Sequence, residues 1–236
     1  MDHLDITAIV PDSPPAAQRL IITDVQTQRK RAERRSIFVN DEFAFGVSEE
    51  CYVKYALFKG REVTQHFLDE VMSAEELYQA RQCAMRMLGR RMRSVHEIRT
   101  KLAEKEFPGE TIDATLEFLR SYGMIDDDAF ARAFVSDQLM RRPVGRRKLE
   151  QDLRTKGIAK DAAGELVLAL VDDDCELSNA IAAAEKKFPL LRQGDAMKRD
   201  RALASFLAGR GFSWNVIANV VKQFHSRSLD LNSRDR

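Results

Sequence analysis

The sequence predicts a mainly all-α protein: three tandem three-helix repeats in an elongated, curved body, with a small N-terminal β-hairpin region. Three observations carry this. One pattern of apolar and basic residues recurs three times at nearly constant spacing, which marks a repeat architecture. Eleven glycines and six prolines, together about 7% of the chain against an average near 12%, leave few helix breakers. Strand-like alternation is confined to the segment before Ser48.

The repeat is anchored on Leu102, Lys105, Glu106 and Phe107, then Leu153, Lys156, Gly157 and Ile158, then Leu207, Arg210, Gly211 and Phe212, which lie 51 and then 54 residues apart. Ile98, Leu149 and Leu203 precede each leucine by four. Ile112, Ala163 and Ile217, then Leu116, Val167 and Val221, then Leu119, Leu170 and Phe224 continue the register. Each unit therefore contains a leading helix, a middle helix ending in the basic turn, and a closing helix. The leading helices are expected near 75–91, 127–141 and 178–188, the middle near 95–105, 146–156 and 196–208, and the closing near 110–121, 160–171 and 214–225. Units stacked in series bury their apolar faces against neighbours, which gives the elongated body.

Taken in order, the chain divides into an arm (1–18), a hairpin region with short helices (19–72), repeats at 73–125, 126–176 and 177–225, and a flexible tail (226–236). The arm holds Asp2, Asp5 and Asp12 with Pro11, Pro14 and Pro15; without a basic start and an apolar stretch it is expected to be disordered rather than a signal peptide. Leu20, Ile21, Ile22 and Val25 open a strand; Ile37, Phe38 and Val39, then Asn40-Asp41, then Phe43, Phe45 and Val47 read as a hairpin. Arg29, Lys30, Arg31, Arg34 and Arg35 form a basic tip or loop between them. Ser48 caps a short helix ending near Gly60, and Thr64 opens the next. Ser73 with Glu76 and Ser94 with Glu97 have the spacing of capping boxes. Asp126, Asp127 and Asp128 cap the helix beginning at Ala129-Phe130-Ala131 rather than bind a cation.

Charge and chemistry narrow the function. Lysine plus arginine is 38 against 37 acidic residues, so the molecule as a whole is not a polycation, and any nucleic-acid role must come from local patches. No apolar run approaches the length of a bilayer span, so no membrane role is expected. Cys51, Cys83 and Cys175 are too dispersed for a disulfide framework or a metal knuckle, which suits a cytoplasmic protein. There is no phosphate-cradling glycine loop, no His-Glu-x-x-His and no Cys-x-x-Cys. His3, His66, His96 and His225 are scattered. No catalytic residue, metal site or cofactor is expected. Phe107, Phe118, Phe130 and Phe134 read as core, as does Trp214 at a helix start, so base stacking has little support.

The basic clusters are the candidate binding surface. One comprises Arg81, Arg86, Arg90, Arg91, Arg93, Arg99, Lys101 and Lys105; the other comprises Arg141, Arg142, Arg146, Arg147, Lys148, Arg154 and Lys156. Both lie where a leading helix meets a middle helix. Recurrence at one repeat position aligns them on one side, as a phosphate or an acidic protein surface requires. The candidates are Arg90, Arg91, Arg93, Lys101, Arg141, Arg142, Arg146, Arg147, Lys148 and Lys156.

These residues resemble the RecX family of regulators of the RecA recombinase. The resemblance rests on Arg91-Met92-Arg93-Ser94 leading into Glu97-Ile98 and Leu102, on Gly123-Met124-Ile125-Asp126-Asp127 with Phe130-Ala131, and on Gly145 with Leu149, Leu153 and Lys156-Gly157-Ile158. It covers roughly residues 75–225. Pro143 precedes Val144-Gly145 here, where the family pattern tends to place glycine before proline. The resemblance implies tandem three-helix units, no catalysis, and binding in the groove of the RecA filament on DNA, restraining ATP hydrolysis and strand exchange in recombination, DNA repair and the SOS response. A repeat body is expected to be a monomer, and the basic patches are expected to touch single- and double-stranded DNA weakly. Middle and closing helices joined by a short turn also fit a helix-turn-helix, so a sequence-specific DNA-binding regulator stands as the alternative.

Overall fold

The computed structural model describes residues 19–29, 31–191 and 196–234, with side chains as far as Ser226. The expected disordered arm, Lys30 of the basic tip and the last two residues of the expected tail lie outside the described residues. The chain forms two units, divided after Gln79.

In the first unit, β1 (Leu20–Gln28), β2 (Arg31–Val39), β3 (Glu42–Ser48) and the two-residue β4 (Glu62–Val63) form an antiparallel sheet in the order β3-β2-β1-β4. Asn40 and Asp41 take left-handed φ values of 49° and 68°, the conformation that a two-residue hairpin turn requires to follow strand twist. Ile22, Ile37, Val39, Phe45 and Val47 form the buried face. Ser48 caps α1 (Glu49–Lys54) by accepting from Cys51 N–H; the helix stops well before Gly60. Thr64 accepts from Phe67 N–H and opens α2 (Gln65–Leu88).

Further sequence expectations fail in this unit, wholly or in part. Ser73 caps nothing: it lies inside α2 and donates to the Asp69 carbonyl at 2.9 Å. The box spacing is satisfied by chance within a helix that Thr64 has already started. The basic segment is a hairpin tip only in part: Arg29 sits in the turn between β1 and β2. Arg31 to Arg35 belong to β2, where Arg34 bonds Glu75 at 2.7 Å and Arg35 bonds Glu49 at 2.7 and 3.0 Å. Glu75 is buried and also accepts from the Ser48 N–H and hydroxyl, both at 2.8 Å. Burial pushes its carboxyl up, but these bonds, with Gln79 and the Arg34 charge, hold it below its ordinary value.

The second unit is wholly helical among the described residues. Repeat 1 combines the end of α2 with α3 (Val95–Ala103) and α4 (Gly109–Ser121); repeat 2 contains α5 (Asp127–Arg141), α6 (Arg146–Thr155) and α7 (Lys160–Leu170). Repeat 3 contains α8 (Asp173–Lys187), a 3-10 turn (Phe188–Leu191), α9 (Ala196–Gly209) and α10 (Trp214–Arg234). Each repeat has its own core: Ile98, Leu102, Ile112, Leu116 and Leu119 in the first, Val135, Leu149, Leu153, Ala163 and Val167 in the second, Leu203, Leu207, Phe212, Ile217 and Phe224 in the third. The middle-helix and most closing-helix positions of the repeat are therefore the buried ones. Leu170, 36% exposed, departs from this at the end of α7, and Val221 is only partly buried in repeat 3.

Asp126 caps α5 by accepting from the Asp128 and Ala129 N–H groups, as the aspartate run predicts. The third leading helix starts earlier than expected, at Asp173, because Asp172 caps it through Cys175 N–H. α10 continues to Arg234, over much of the segment expected as a tail. Each middle helix ends in a left-handed residue that closes the last turn: Glu106 at φ 65°, Gly157 at 86° and Gly211 at 79°.

Candidate functional site

The repeated turn has a purpose that one repeat cannot reveal: it docks on the start of the middle helix one repeat earlier. Helix N-termini expose unsatisfied N–H groups and helix C-termini unsatisfied carbonyls, so the contact pairs complementary ends and aligns the dipoles head to tail.

Between repeats 1 and 2, Ser94 accepts from Glu97 N–H at 3.1 Å while its hydroxyl donates to the Lys156 carbonyl at 2.6 Å. Lys156 reaches Glu97 at 2.7 Å, and Arg91 grips the same carboxylate with two bonds of 2.9 and 3.1 Å. Glu97 therefore does not close its capping box on Ser94; it joins two repeats. Burial pushes its carboxyl up, but the Arg91 and Lys156 bonds and charges prevail and bring it down to about 2. The Val95 N–H, first in α3, donates to Asp127 of the next leading helix at 2.9 Å.

Between repeats 2 and 3 the contact is made mostly by main chain. Gly145 N–H donates to the Arg210 carbonyl at 3.0 Å and Arg147 N–H to the Gly211 carbonyl at 3.1 Å. The Arg146 N–H, first in α6, turns to Glu176 of the next leading helix at 3.4 Å. Glu176 is buried and also accepts from the Ser213 N–H and hydroxyl, both at 3.1 Å. Arg210 donates to the Pro143 carbonyl at 3.0 Å, so the proline before Val144-Gly145 serves the joint through its carbonyl.

The joints engage several of the candidate cations. Arg146 is held by the Val171 carbonyl at 2.6 Å, Asp173 at 2.8 Å and Glu176 at 3.7 Å. Lys156 and Arg91 share Glu97. Lys148 pairs with Asp152 at 2.8 Å, Arg141 with Asp137 at 2.9 Å and Lys101 with Glu104. Arg142 bonds Gln138 at 3.4 Å, and Arg93 the Met87 carbonyl at 3.5 Å. Among the described residues Arg90 and Arg147 are exposed and make no side-chain pair. The described residues contain no cluster able to hold a metal, and no helix is long and apolar enough to cross a membrane.

One residue departs from its sequence reading. Trp214, expected in the core, is 65% exposed at the start of α10. The third repeat's core is filled by Phe212, Ile217, Val220 and Phe224, and Trp214, the first residue of α10, lies outside that set. Phe130 is buried, and Phe107, Phe118 and Phe134 pack against their cores, as expected.

The three-helix units match known family models one by one. Residues 80–119 match the first three-helix domain of RecX, 126–166 the second and 174–221 the third, and 20–64 match the N-terminal domain of the regulatory protein RecX. The chain belongs to the RecX family. It is 29% identical over 210 residues to the regulatory protein RecX of Clostridium acetobutylicum, covering 88% of this chain and 97% of that one. Against the RecX of Levilactobacillus brevis identity is 34% over 164 residues, 69% of this chain and 61% of the relative. A crystal structure of regulatory protein RecX superposes with a TM-score of 0.67 at 26% identity, covering 85% of this chain and 98% of that one. The three-helix units that RecX-family models match as separate domains are thus tied by the two docked turns.

Proposed function

We propose that this protein is a non-enzymatic regulator of the RecA recombinase that binds in the groove of the RecA filament on DNA and restrains ATP hydrolysis and strand exchange. RecA as the target follows from the family. The observation that carries the mode of binding is the repeated joint: it brings the start of one middle helix to the end of the next, so the basic junctions of successive repeats recur in register. A filament groove offers phosphates and recombinase carboxylates at regular intervals, and a register of cations is the matching device. The protein acts as a cytoplasmic monomer with weak affinity for bare DNA.

The contact residues proposed are Arg90, Arg91, Arg93, Lys101, Arg141, Arg142, Arg146, Arg147, Lys148 and Lys156. Arg90 and Arg147 lead, because an unpaired guanidinium forfeits no internal bond when it meets a phosphate. Arg146 and Lys156 act chiefly by holding the joints that set the register.

A helix-turn-helix regulator would read bases with the second helix of each pair. In the first two repeats those helices carry Glu110, Asp113 and Glu117 in α4 and Asp161 and Glu165 in α7, charges that a major groove repels.

The test is RecA's DNA-dependent ATP hydrolysis and strand exchange with this protein titrated in. Inhibition well below one molecule per recombinase subunit is expected. R90A/R147A should weaken it and flatten its salt dependence, by about 0.9 for each duplex phosphate no longer neutralised. No inhibition, with an enriched sequence motif on bare duplex, would overturn the proposal.

A further inference from the structure

We infer that Trp214 and Arg147 form a stacking site for an unpaired nucleic-acid base and its phosphate. The inference rests on the proposed nucleoprotein target but assigns a residue, and a preference for single strands, that the basic clusters do not supply.

The second joint carries both residues on its two facing chain segments. Glu176 anchors both Ser213, through its N–H and hydroxyl, and Arg146, through its N–H. Trp214 and Arg147 are the next residue along from each anchor, and the Arg147 N–H is itself bonded to the Gly211 carbonyl at 3.1 Å. Among the described residues the Trp214 indole pairs with no ring and no cation, and the Arg147 guanidinium is likewise unpaired. An indole left two-thirds exposed removes little apolar area from water in the free protein, so its position is unexplained by folding.

Charge decides the kind of nucleic acid. The N-cap of α8, Asp172, and its first turn, with Asp173, Asp174 and Glu176, lie at the same joint. Arg146 pairs with both Asp173 and Glu176, offsetting one of their two charges, and Asp172 accepts from Cys175 N–H. Asp174 stays exposed and, with its neighbours, keeps the phosphate attraction weak. Affinity must then come from stacking, which needs a base with a free face; duplex bases are already stacked, whereas every single-stranded base offers one. A protein pocket is the poorer fit, because a buried tryptophan anchor is ringed by contacts that exclude water, while Trp214 stands between the polar Ser213 and the exposed Asn215.

Trp214 is the sole tryptophan in the chain, so its emission reports the site directly. Full-length protein is titrated at low salt with oligo(dT) and with a duplex of equal length, following tryptophan emission and the anisotropy of labelled oligonucleotide. Saturable quenching by oligo(dT) and little response to duplex are expected. W214A should weaken oligo(dT) binding about tenfold, W214F should retain part of it and R147A should lower it less. Unchanged binding in W214A, equal quenching by duplex, or an emission change produced only by recombinase without DNA would each overturn the site; the last would make Trp214 a protein anchor. Because recombinase is absent from the first two measurements, their outcome is separate from that of the ATP hydrolysis test.

Discussion

The two joints of the helical unit solve the same problem with different atoms. Both dock the end of one middle helix on the start of the preceding one, and both hand the first helical N–H to a carboxylate of the following leading helix. The first is built from side chains: Ser94, Glu97, Lys156 and Arg91. The second is built largely from main chain, with Gly145 and Gly211 in direct apposition. A side-chain joint titrates and can be retuned by substitution. A main-chain joint hardly responds to pH at its docked turn, but it leaves no room for a single carbon atom.

The largest effects should expose that intolerance. A Cβ at Gly145 would lie 2.3 Å from the Gly211 carbonyl oxygen and the Phe212 nitrogen, and one at Gly211 2.3 Å from the Lys148 nitrogen. Gly145→Ala and Gly211→Ala should each cost about 3 kcal/mol in urea unfolding followed by circular dichroism. Gly157→Ala also collides, but with a side chain, the Cβ of His96 at 2.2 Å. His96→Gly in that background should restore much of the loss, leaving about 1 kcal/mol for a left-handed alanine. A double variant no more stable than Gly157→Ala alone would erase the contrast between the joints.

A smaller effect tests titration. Glu97→Gln should cost about 2 kcal/mol at neutral pH, since it leaves Lys156 and Arg91 without their shared carboxylate. The Glu97 carboxyl is lowered to about 2, below its unfolded value. Its contribution is therefore complete above the ordinary carboxylate range and is lost as pH falls toward 2. The wild type should lose stability over that window by more than E97Q does; parallel loss in both proteins would remove Glu97 from the joint's account. The smallest effect belongs to Arg91, whose side chain is half exposed: Arg91→Ala should shift stability by only about 0.5 kcal/mol.

Legibility in the sequence varies by element. The buried helix faces are legible, because apolar side chains at three- and four-residue spacing must share one side of a helix whatever surrounds it. Ser48, Thr64, Ser94 and Asp126 are caps as their local sequence predicts, since a cap bonds within three residues. Ser73 has the same local signature and fails, because a longer helix has already satisfied its backbone. The candidate cations are identifiable as clusters, but their partners are not: Arg146 meets Asp173 and Glu176, and Lys156 meets Glu97, from tens of residues away. Trp214 departs from expectation because residue type and spacing favour burial, while its place at the first residue of α10 leaves it exposed.

Local periodicity and short motifs suffice for the three-fold repeat, the bounds of the middle helices, and the family, because each is written in residues close together along the chain; the start of α2 and the end of α10 lie well outside the expected ranges. Packing across repeats settles what the repeated Lys-Gly and Arg-Gly turns are for, which cations remain unpaired, and that the lone tryptophan is exposed at one of the joints. Those facts depend on groups brought together from separate repeats, and a free helix end declares neither its partner nor the atoms, side chain or main chain, that will satisfy it.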